Sequence, residues 1–138
     1  EFPLSDYYKF AFVRNPWDRI LSACIYSNDK GYSKAKFGRD IMLTEFLSAI
    51  ETVPVWRQKY LMPQSEFVKG SDFVGRFENL EEDFTKVQQS LGLADVQLPF
   101  LNETEHGHYS DYYSQAAKEK VACMFSKDLT EYGYEFEG

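Results

Sequence analysis

Apolar residues in this chain occur first as a short unbroken run and then as stripes at helical spacing. The run Phe10–Val13 is wholly apolar, which predicts an interior strand of a parallel sheet with both faces buried. Asn15 and Pro16 follow, and these residues are favoured at the N-cap and at the first position of a helix. From Trp17 to Ile25 the apolar residues recur at helical spacing and form one buried stripe. The pattern therefore predicts a strand that leads directly into a helix.

The same alternation continues along the chain. We predict, in order, a helix over 41–51, a weak strand at Phe67–Val68, a better strand over Phe73–Phe77, a helix begun by an Asn79/Glu82 capping box and ended by Gly92, and a last helix over 114–126. The polar segments 28–39 and 99–109 predict surface loops, and 56–64 is irregular with at most a helical turn. Strands alternating with helices predict an α/β fold with a parallel sheet flanked by helices.

Composition adds limits on size and partners. The 138 residues fit one domain over 1–138, and the hydrophobic content of 43% supports a sizeable core. A net charge of −7 disfavours nucleic acid and anionic membranes as partners, although a small anionic ligand needs only a few local cations. No apolar run approaches the roughly 20 residues of a membrane span. Cys24 and Cys123 lie in apolar helical contexts and are predicted to be reduced core residues in a reducing compartment, with a disulfide between them as the alternative. The expected location is cytoplasmic.

The first candidate for chemistry is Arg14, at the carboxyl end of the predicted first strand. In parallel sheets, ligands bind beyond the carboxyl ends of the strands. A guanidinium at this position and the hydroxyl of Ser22, on the following helix, could together bind one phosphate group. The alternative is that Arg14 pairs with Asp18 while Ser22 is a solvated helix residue. Spacing alone slightly favours the second interpretation.

A resemblance to a known family bears on this choice. The segment FVRNPWDRILSA, which contains Arg14 and Ser22, is similar to the 3′-phosphate-binding motif of sulfotransferases that use 3′-phosphoadenosine 5′-phosphosulfate. Further similar segments follow in the same order as in the family. They are VGRFENLEEDF at 74–84, LGL at 91–93, LPFLN at 98–102, and Tyr112–Tyr113 with KDLTEYGYEF at 127–136. Together they resemble the carbohydrate-type sulfotransferase family over nearly the whole chain.

The resemblance implies a fold related to P-loop nucleotide kinases, and transfer of a sulfonate from 3′-phosphoadenosine 5′-phosphosulfate to a hydroxyl or amine, with a carbohydrate as the expected acceptor. It implies that Arg14 and Ser22 hold the 3′-phosphate. Phe77 matches a position that lies beside the adenine in relatives, and a core position at a strand end is an equally good interpretation. His106 and His108 match a loop that presents basic residues to the nucleotide, although solvated surface histidines are the more common case.

The segment 56–64 resembles one that lines the acceptor cleft in relatives. The resemblance makes Arg57 and Gln64 candidate acceptor-binding residues, whereas an aromatic core cluster explains Trp56 and Tyr60 equally well. The implied reaction needs no metal, and no metal-ligand cluster is visible in the sequence. A noncatalytic module that binds a nucleotide or a glycan is the alternative function.

The chain departs from the family at its start. Relatives begin with a strand and a loop of the type K-x-G/A-x-T/S, whose amides and Lys bind the 5′-phosphosulfate. No such loop occurs here, and only thirteen residues precede Arg14. We therefore expect an N-terminally incomplete domain whose catalytic residues are unknown and which is inactive by itself. A chain from the animal branch of the family would belong in the Golgi lumen instead of the cytoplasm.

Overall fold

The computed structural model describes residues 3–94, 96–99 and 106–138. In chain order its elements are β1 (Phe10–Val13), α1 (Pro16–Asp29), α2 (Tyr32–Phe37), α3 (Leu43–Thr52), α4 (Pro54–Tyr60), α5 (Gln64–Phe67), β2 (Phe73–Arg76), α6 (Leu80–Leu91), α7 (Gln115–Met124) and α8 (Ser126–Tyr132). Short 3₁₀ turns cover Leu4–Asp6, Phe77–Asn79 and Tyr109–Tyr112. The structure is thus rich in helices and contains a small sheet.

The chain divides into two compact units. Glu1–Arg14 with Gln64–Asn102 form one, which we call the sheet unit, and Asn15–Pro63 with Glu103–Gly138 form the other, the helical unit. The polypeptide passes from one unit to the other three times along its length. The assignment of 1–138 to a single domain stays a prediction.

In the sheet unit, β1 and β2 are parallel neighbours, with Phe10 opposite Phe73 and Val13 opposite Arg76. This pairing confirms the prediction of a parallel sheet. Full burial of β1 was the wrong expectation, because only Val13 is buried and Phe10 is 41% exposed. Among the described residues β1 pairs with β2 alone, so one edge and part of its surface lack the cover that an interior strand receives.

The helix α6 follows β2 and packs against it. It ends at Gly92, which adopts the left-handed conformation that suits glycine at this position, as predicted. Asn79 occupies the N-cap, but the predicted capping box is wrong because its side chain makes no capping hydrogen bond. The 3₁₀ turn that ends at Asn79 leads into the helix instead, and the Leu80 N–H bonds to the carbonyl of Phe77.

The helical unit contains the main hydrophobic core. The predicted inner stripes of α1, α3 and α7 meet there, which confirms the periodicity on which they were based. The buried core residues are Trp17, Ile20, Leu21, Cys24, Ile41, Leu43, Phe46, Leu47, Ile50, Tyr60, Tyr109, Ala117, Val121 and Phe125.

Several segments differ from the prediction in their secondary structure. The predicted loop 28–39 contains α2, which is held by a 3.0 Å hydrogen bond between the buried hydroxyls of Ser27 and Ser33. Residues 56–60 of the segment predicted to be irregular belong to α4, and the weak strand predicted at 67–68 is replaced by α5 and the residue that follows it. These are short elements whose hydrogen bonds form in a tertiary context that local periodicity does not report.

The two cysteines have different environments, although both are free thiols. Cys24 is buried in the core of the helical unit, and this burial raises the pKa of its thiol to about 12. Cys123 is exposed, so its placement in the core was wrong. It lies two positions after the fully buried Val121, which turns it to the opposite face of α7.

Candidate functional site

The start of α1 has the geometry that the sequence predicted. The Asn15 side-chain oxygen accepts the N–H groups of Trp17, at 3.0 Å, and Asp18, at 3.4 Å, while Pro16 takes the first helical position. The Asn15 amide also donates to the Tyr109 hydroxyl at 3.4 Å, so the cap is anchored within the helical unit. Ser22 lies further along α1 and is half-buried.

In the sheet unit, Arg14 follows the last residue of β1. Because Val13 is opposite Arg76, the next residues on each side, Arg14 and Phe77, leave the carboxyl ends of neighbouring strands together. The Arg14 guanidinium carbon lies 4.1 Å from the centroid of the Phe77 ring, which is a cation–π contact. Phe77 is 44% exposed, so it is not the core residue that one interpretation required. Its contact with an adenine stays a prediction.

Gln64, the first residue of α5, makes hydrogen bonds to the backbone of Arg14 through its side chain. Its side-chain oxygen accepts the Arg14 N–H at 2.9 Å, and its side-chain nitrogen donates to the Arg14 carbonyl at 2.8 Å. Gln64 is only 6% exposed. The role of Gln64 in acceptor binding stays a prediction, and the geometry adds a contact to Arg14 that the sequence did not suggest.

Asp83 of α6 makes a comparable contact at the end of β2. Its carboxylate accepts the Arg76 N–H at 2.8 Å and pairs with the Lys86 ammonium at 2.6 Å. The bond from Lys86, followed by the one from the Arg76 backbone, holds the pKa of the Asp83 carboxyl below its usual range. Sequence reasoning missed this residue. The available signal was a charged residue three positions after Leu80 and four before Val87, the spacing of one helical face.

The two predicted histidines lie in the helical unit and differ in burial. The His106 side chain is only 10% exposed, and its Nε2 is 3.9 Å from the Asp18 carboxylate. Its Nδ1 is 2.7 Å from the Gly107 carbonyl oxygen. His108 is exposed; its Nδ1 is 2.8 Å from the Ser110 hydroxyl, and its ring stacks on Tyr109. The first part of the predicted loop, 100–105, lies outside the described residues.

The predicted acceptor segment on α4 is partly core. Tyr60 is buried and Trp56 half-buried, and the centroids of both rings lie within 5.4 Å of that of Phe46. An aromatic cluster therefore accounts for these two residues. Arg57, between them, is exposed. Its acceptor role stays a prediction.

Comparison with known proteins decides the family. The sequence model described as "Sulfotransferase family" matches residues 3–135. The chain belongs to the sulfotransferase family. Membership places it in the transferase class of enzymes, and a small parallel sheet in a structure rich in helices is in keeping with an α/β sulfotransferase fold. The relation to P-loop kinases stays a prediction, and no solved structure matches the chain.

Two relatives illustrate the family. An uncharacterized protein of Archaeoglobus fulgidus is 31% identical, over 75% of this chain and 82% of its own length. Carbohydrate sulfotransferase 14 of Danio rerio is 30% identical, over 64% of this chain. The match covers 31% of the zebrafish enzyme, so the chain spans less than a third of that relative.

Two further observations concern the described residues as a whole. None of their helices combines the length and the apolar character needed to cross a membrane. Within 3–94, 96–99 and 106–138, no three His, Cys, Asp or Glu side chains lie together as a group that could hold a metal ion. Transfer without a metal stays a prediction of the family resemblance.

Proposed function

We propose that this chain carries the 3′-phosphate-binding part of the nucleotide site of a sulfotransferase, and that its donor is 3′-phosphoadenosine 5′-phosphosulfate. The observation that carries the proposal is the cation–π pair of Arg14 and Phe77 at the carboxyl ends of two parallel strands. This is the edge of a parallel sheet at which ligands bind.

This cation–π pair suits an adenine nucleotide with a phosphate on its ribose. A guanidinium stacks through its flat face, whereas its N–H donors lie in its plane and bind phosphate oxygens. Arg14 can therefore contact Phe77 and a phosphate at the same time. The exposed surface of the Phe77 ring offers an apolar contact for a purine. One cation and one aromatic ring thus match the two chemical parts of the ligand.

The co-substrate, when bound, supplies the sulfonate that is transferred, and Arg14 holds its nucleotide end. A carbohydrate acceptor is proposed because the zebrafish relative is named a carbohydrate sulfotransferase. Ser22, His106 and His108 are kept as nucleotide contacts, and Arg57 as an acceptor contact, on the family resemblance alone. The catalytic base is not assigned.

Calorimetric titration with adenosine 3′,5′-bisphosphate and with adenosine 5′-monophosphate tests the proposal. The bisphosphate should bind more tightly, because only it carries the 3′-phosphate. Arg14→Ala should weaken its binding by about 2–4 kcal/mol, the cost of a lost charge-assisted pair, and should affect the monophosphate much less. Ser22→Ala should cost only about 0.5–1.5 kcal/mol, since a neutral hydroxyl bond is weaker.

Lys69→Ala is a matched control, because it removes one exposed positive charge from the same unit. It should leave the preference for the bisphosphate unchanged. Equal losses for both nucleotides in Arg14→Ala, or a wild-type chain that binds them equally, would contradict the proposal.

A further inference from the structure

The backbone of Arg14 is hydrogen-bonded by a side chain, where a strand residue would be bonded by the backbone of a neighbouring strand. Strand pairing ends at Val13, opposite Arg76, so the half-buried N–H and carbonyl of Arg14 require other partners. Gln64 provides both, at 2.9 Å and 2.8 Å. A primary amide offers a donor and an acceptor side by side, which is the pattern that a neighbouring strand presents to one residue.

The orientation of the Gln64 amide follows from these bonds. Its oxygen must face the Arg14 N–H and its nitrogen the Arg14 carbonyl, because the reverse orientation would place donor against donor and acceptor against acceptor. Gln64 is itself fixed, since it is buried and its own carbonyl accepts the N–H of the buried Val68 at 3.1 Å.

We propose that Gln64 is a positioning residue that fixes the backbone of Arg14, and so aims its guanidinium at the 3′-phosphate; this inference rests on the proposed function. Arginine has a long side chain, so a small rotation of its backbone displaces the guanidinium by a larger distance. The Arg14 side chain leaves the backbone at the Cα, so its 4.1 Å contact with Phe77 depends on how the backbone is oriented there. The two hydrogen bonds from the Gln64 side chain fix that orientation of the backbone.

Gln88 is a second buried glutamine in the same unit, and it bonds to a backbone group other than that of Arg14. It is 3% exposed, and its side-chain nitrogen donates to the Val96 carbonyl at 2.9 Å. Like Gln64, it is buried and its side chain bonds to a backbone carbonyl. That carbonyl, however, belongs to the segment that follows α6. Gln88→Leu is the matched control for Gln64→Leu.

The first measurement needs no ligand. Hydrogen exchange at the Arg14 amide, followed by NMR, should be about tenfold or more faster in Gln64→Leu, because the variant removes the acceptor of that N–H. In Gln88→Leu the Arg14 amide should exchange as in the wild type. Unchanged protection of Arg14 in Gln64→Leu would overturn the inference.

The second measurement is the affinity for adenosine 3′,5′-bisphosphate relative to adenosine 5′-monophosphate. Gln64→Leu should lower this preference about tenfold, the equivalent of one or two hydrogen bonds, and Gln88→Leu should not. When Arg14→Ala is already present, adding Gln64→Leu should not lower the preference for the bisphosphate any further, since Gln64 acts through Arg14. Equal losses in the two leucine variants would show a merely structural role and overturn the inference.

Gln64→Glu provides a test that does not depend on the leucine variant folding. At neutral pH its carboxylate places an acceptor oxygen against the Arg14 carbonyl oxygen in place of the amide donor. Because that hydrogen bond is lost, the preference for the bisphosphate should fall. Protonation restores a donor, so the preference should recover towards that of the wild type, measured at the same pH, as the pH is lowered to about 5. Absence of this recovery would count against the inference.

The two proposals fail in different ways. If the wild-type chain binds the two nucleotides equally, the proposed function is wrong, and the aim of Arg14 at a 3′-phosphate is overturned with it. If the wild type prefers the bisphosphate and Arg14→Ala abolishes that preference while Gln64→Leu retains it, the proposed function stands and the role of Gln64 is overturned.

Discussion

At the scale of single residues, Arg14 could be located from the sequence, but its contacts with Phe77 and Gln64 could not. The apolar run before it and the Asn15–Pro16 helix start after it predict a strand tip at Arg14. Spacing offered a pair with Asp18 or a phosphate shared with Ser22, two residues close in sequence, and both stay predictions. The structure brings the Phe77 ring and the Gln64 amide to Arg14 from distant parts of the chain.

Asp83 leads to a prediction about acid stability. Its folded pKa is lowered, so its carboxylate stabilises the fold above the unfolded pKa of about 3.9, and that contribution is lost as the pH falls through the folded pKa. Asp83→Asn removes the charge but keeps an acceptor for the Arg76 N–H. We expect its melting temperature to lie below that of the wild type at pH 7, and the gap to close below about pH 4.

Thermal melting between pH 7 and pH 3 measures this gap. Glu81→Gln is the control, because it removes an exposed carboxylate from the same helix turn without touching Arg76. Its melting temperature should differ little from that of the wild type across the range. A gap for Asp83→Asn that stays constant with pH would show that the charge of Asp83 contributes nothing.

At the scale of elements, the sheet unit depends on close packing between β2, β1 and α6. Gly75 of β2 is buried, and a Cβ added there would lie 2.6 Å from the Phe12 ring of β1 and 3.0 Å from the Cβ of Asp83 on α6. Both neighbours are closer than ordinary van der Waals contact allows. A glycine in this strand is therefore required by the approach of two other elements.

Gly75→Ala should destabilise the protein by about 1–3 kcal/mol, because the added methyl group overpacks this contact. Urea unfolding at equilibrium measures the change. Gly107→Ala is the control, since the nearest atom to its added Cβ is the Asp111 carboxylate at 3.7 Å. A loss for Gly75→Ala no larger than that for Gly107→Ala would contradict the packing argument.

At the scale of the whole molecule, the two units differ in the core they bury. The helical unit holds the large aromatic and aliphatic cluster around Phe46 and Ile50. The described residues of the sheet unit bury few apolar side chains, chiefly Val13, Val68 and Val87. A two-stranded sheet with so small a core is not expected to be stable on its own.

We therefore predict one cooperative unfolding transition, as expected for a single domain. Both tryptophans, Trp17 and Trp56, belong to the helical unit, so their fluorescence reports on that unit alone. NMR signals of the β1 amides report on the sheet unit. The urea midpoints of the two probes should coincide, and Ile50→Val, with a cost of about 0.5–1.5 kcal/mol, should shift both together. Separate midpoints would indicate two domains.

The sequence by itself determined the elements whose signals are local. The apolar run of β1, the Asn15 cap, the stripes of α1, α3 and α7, and the glycine that ends α6 depend on residues near one another in the chain, so periodicity and capping preferences were sufficient to find them. The ordered series of motifs likewise led to the family, which the match over residues 3–135 confirms.

Only the tertiary structure decided which side chains provide hydrogen bonds to the backbone at the ends of the strands. The Gln64 amide meets the Arg14 backbone across fifty positions of sequence, and the cover over β1 depends on which strands and helices lie beside it. The short helices α2 and α5 also escaped prediction, because helices of so few residues are not stable without contacts from elsewhere. Such contacts carry no period or spacing in the sequence, since their partners are brought together only when the chain folds.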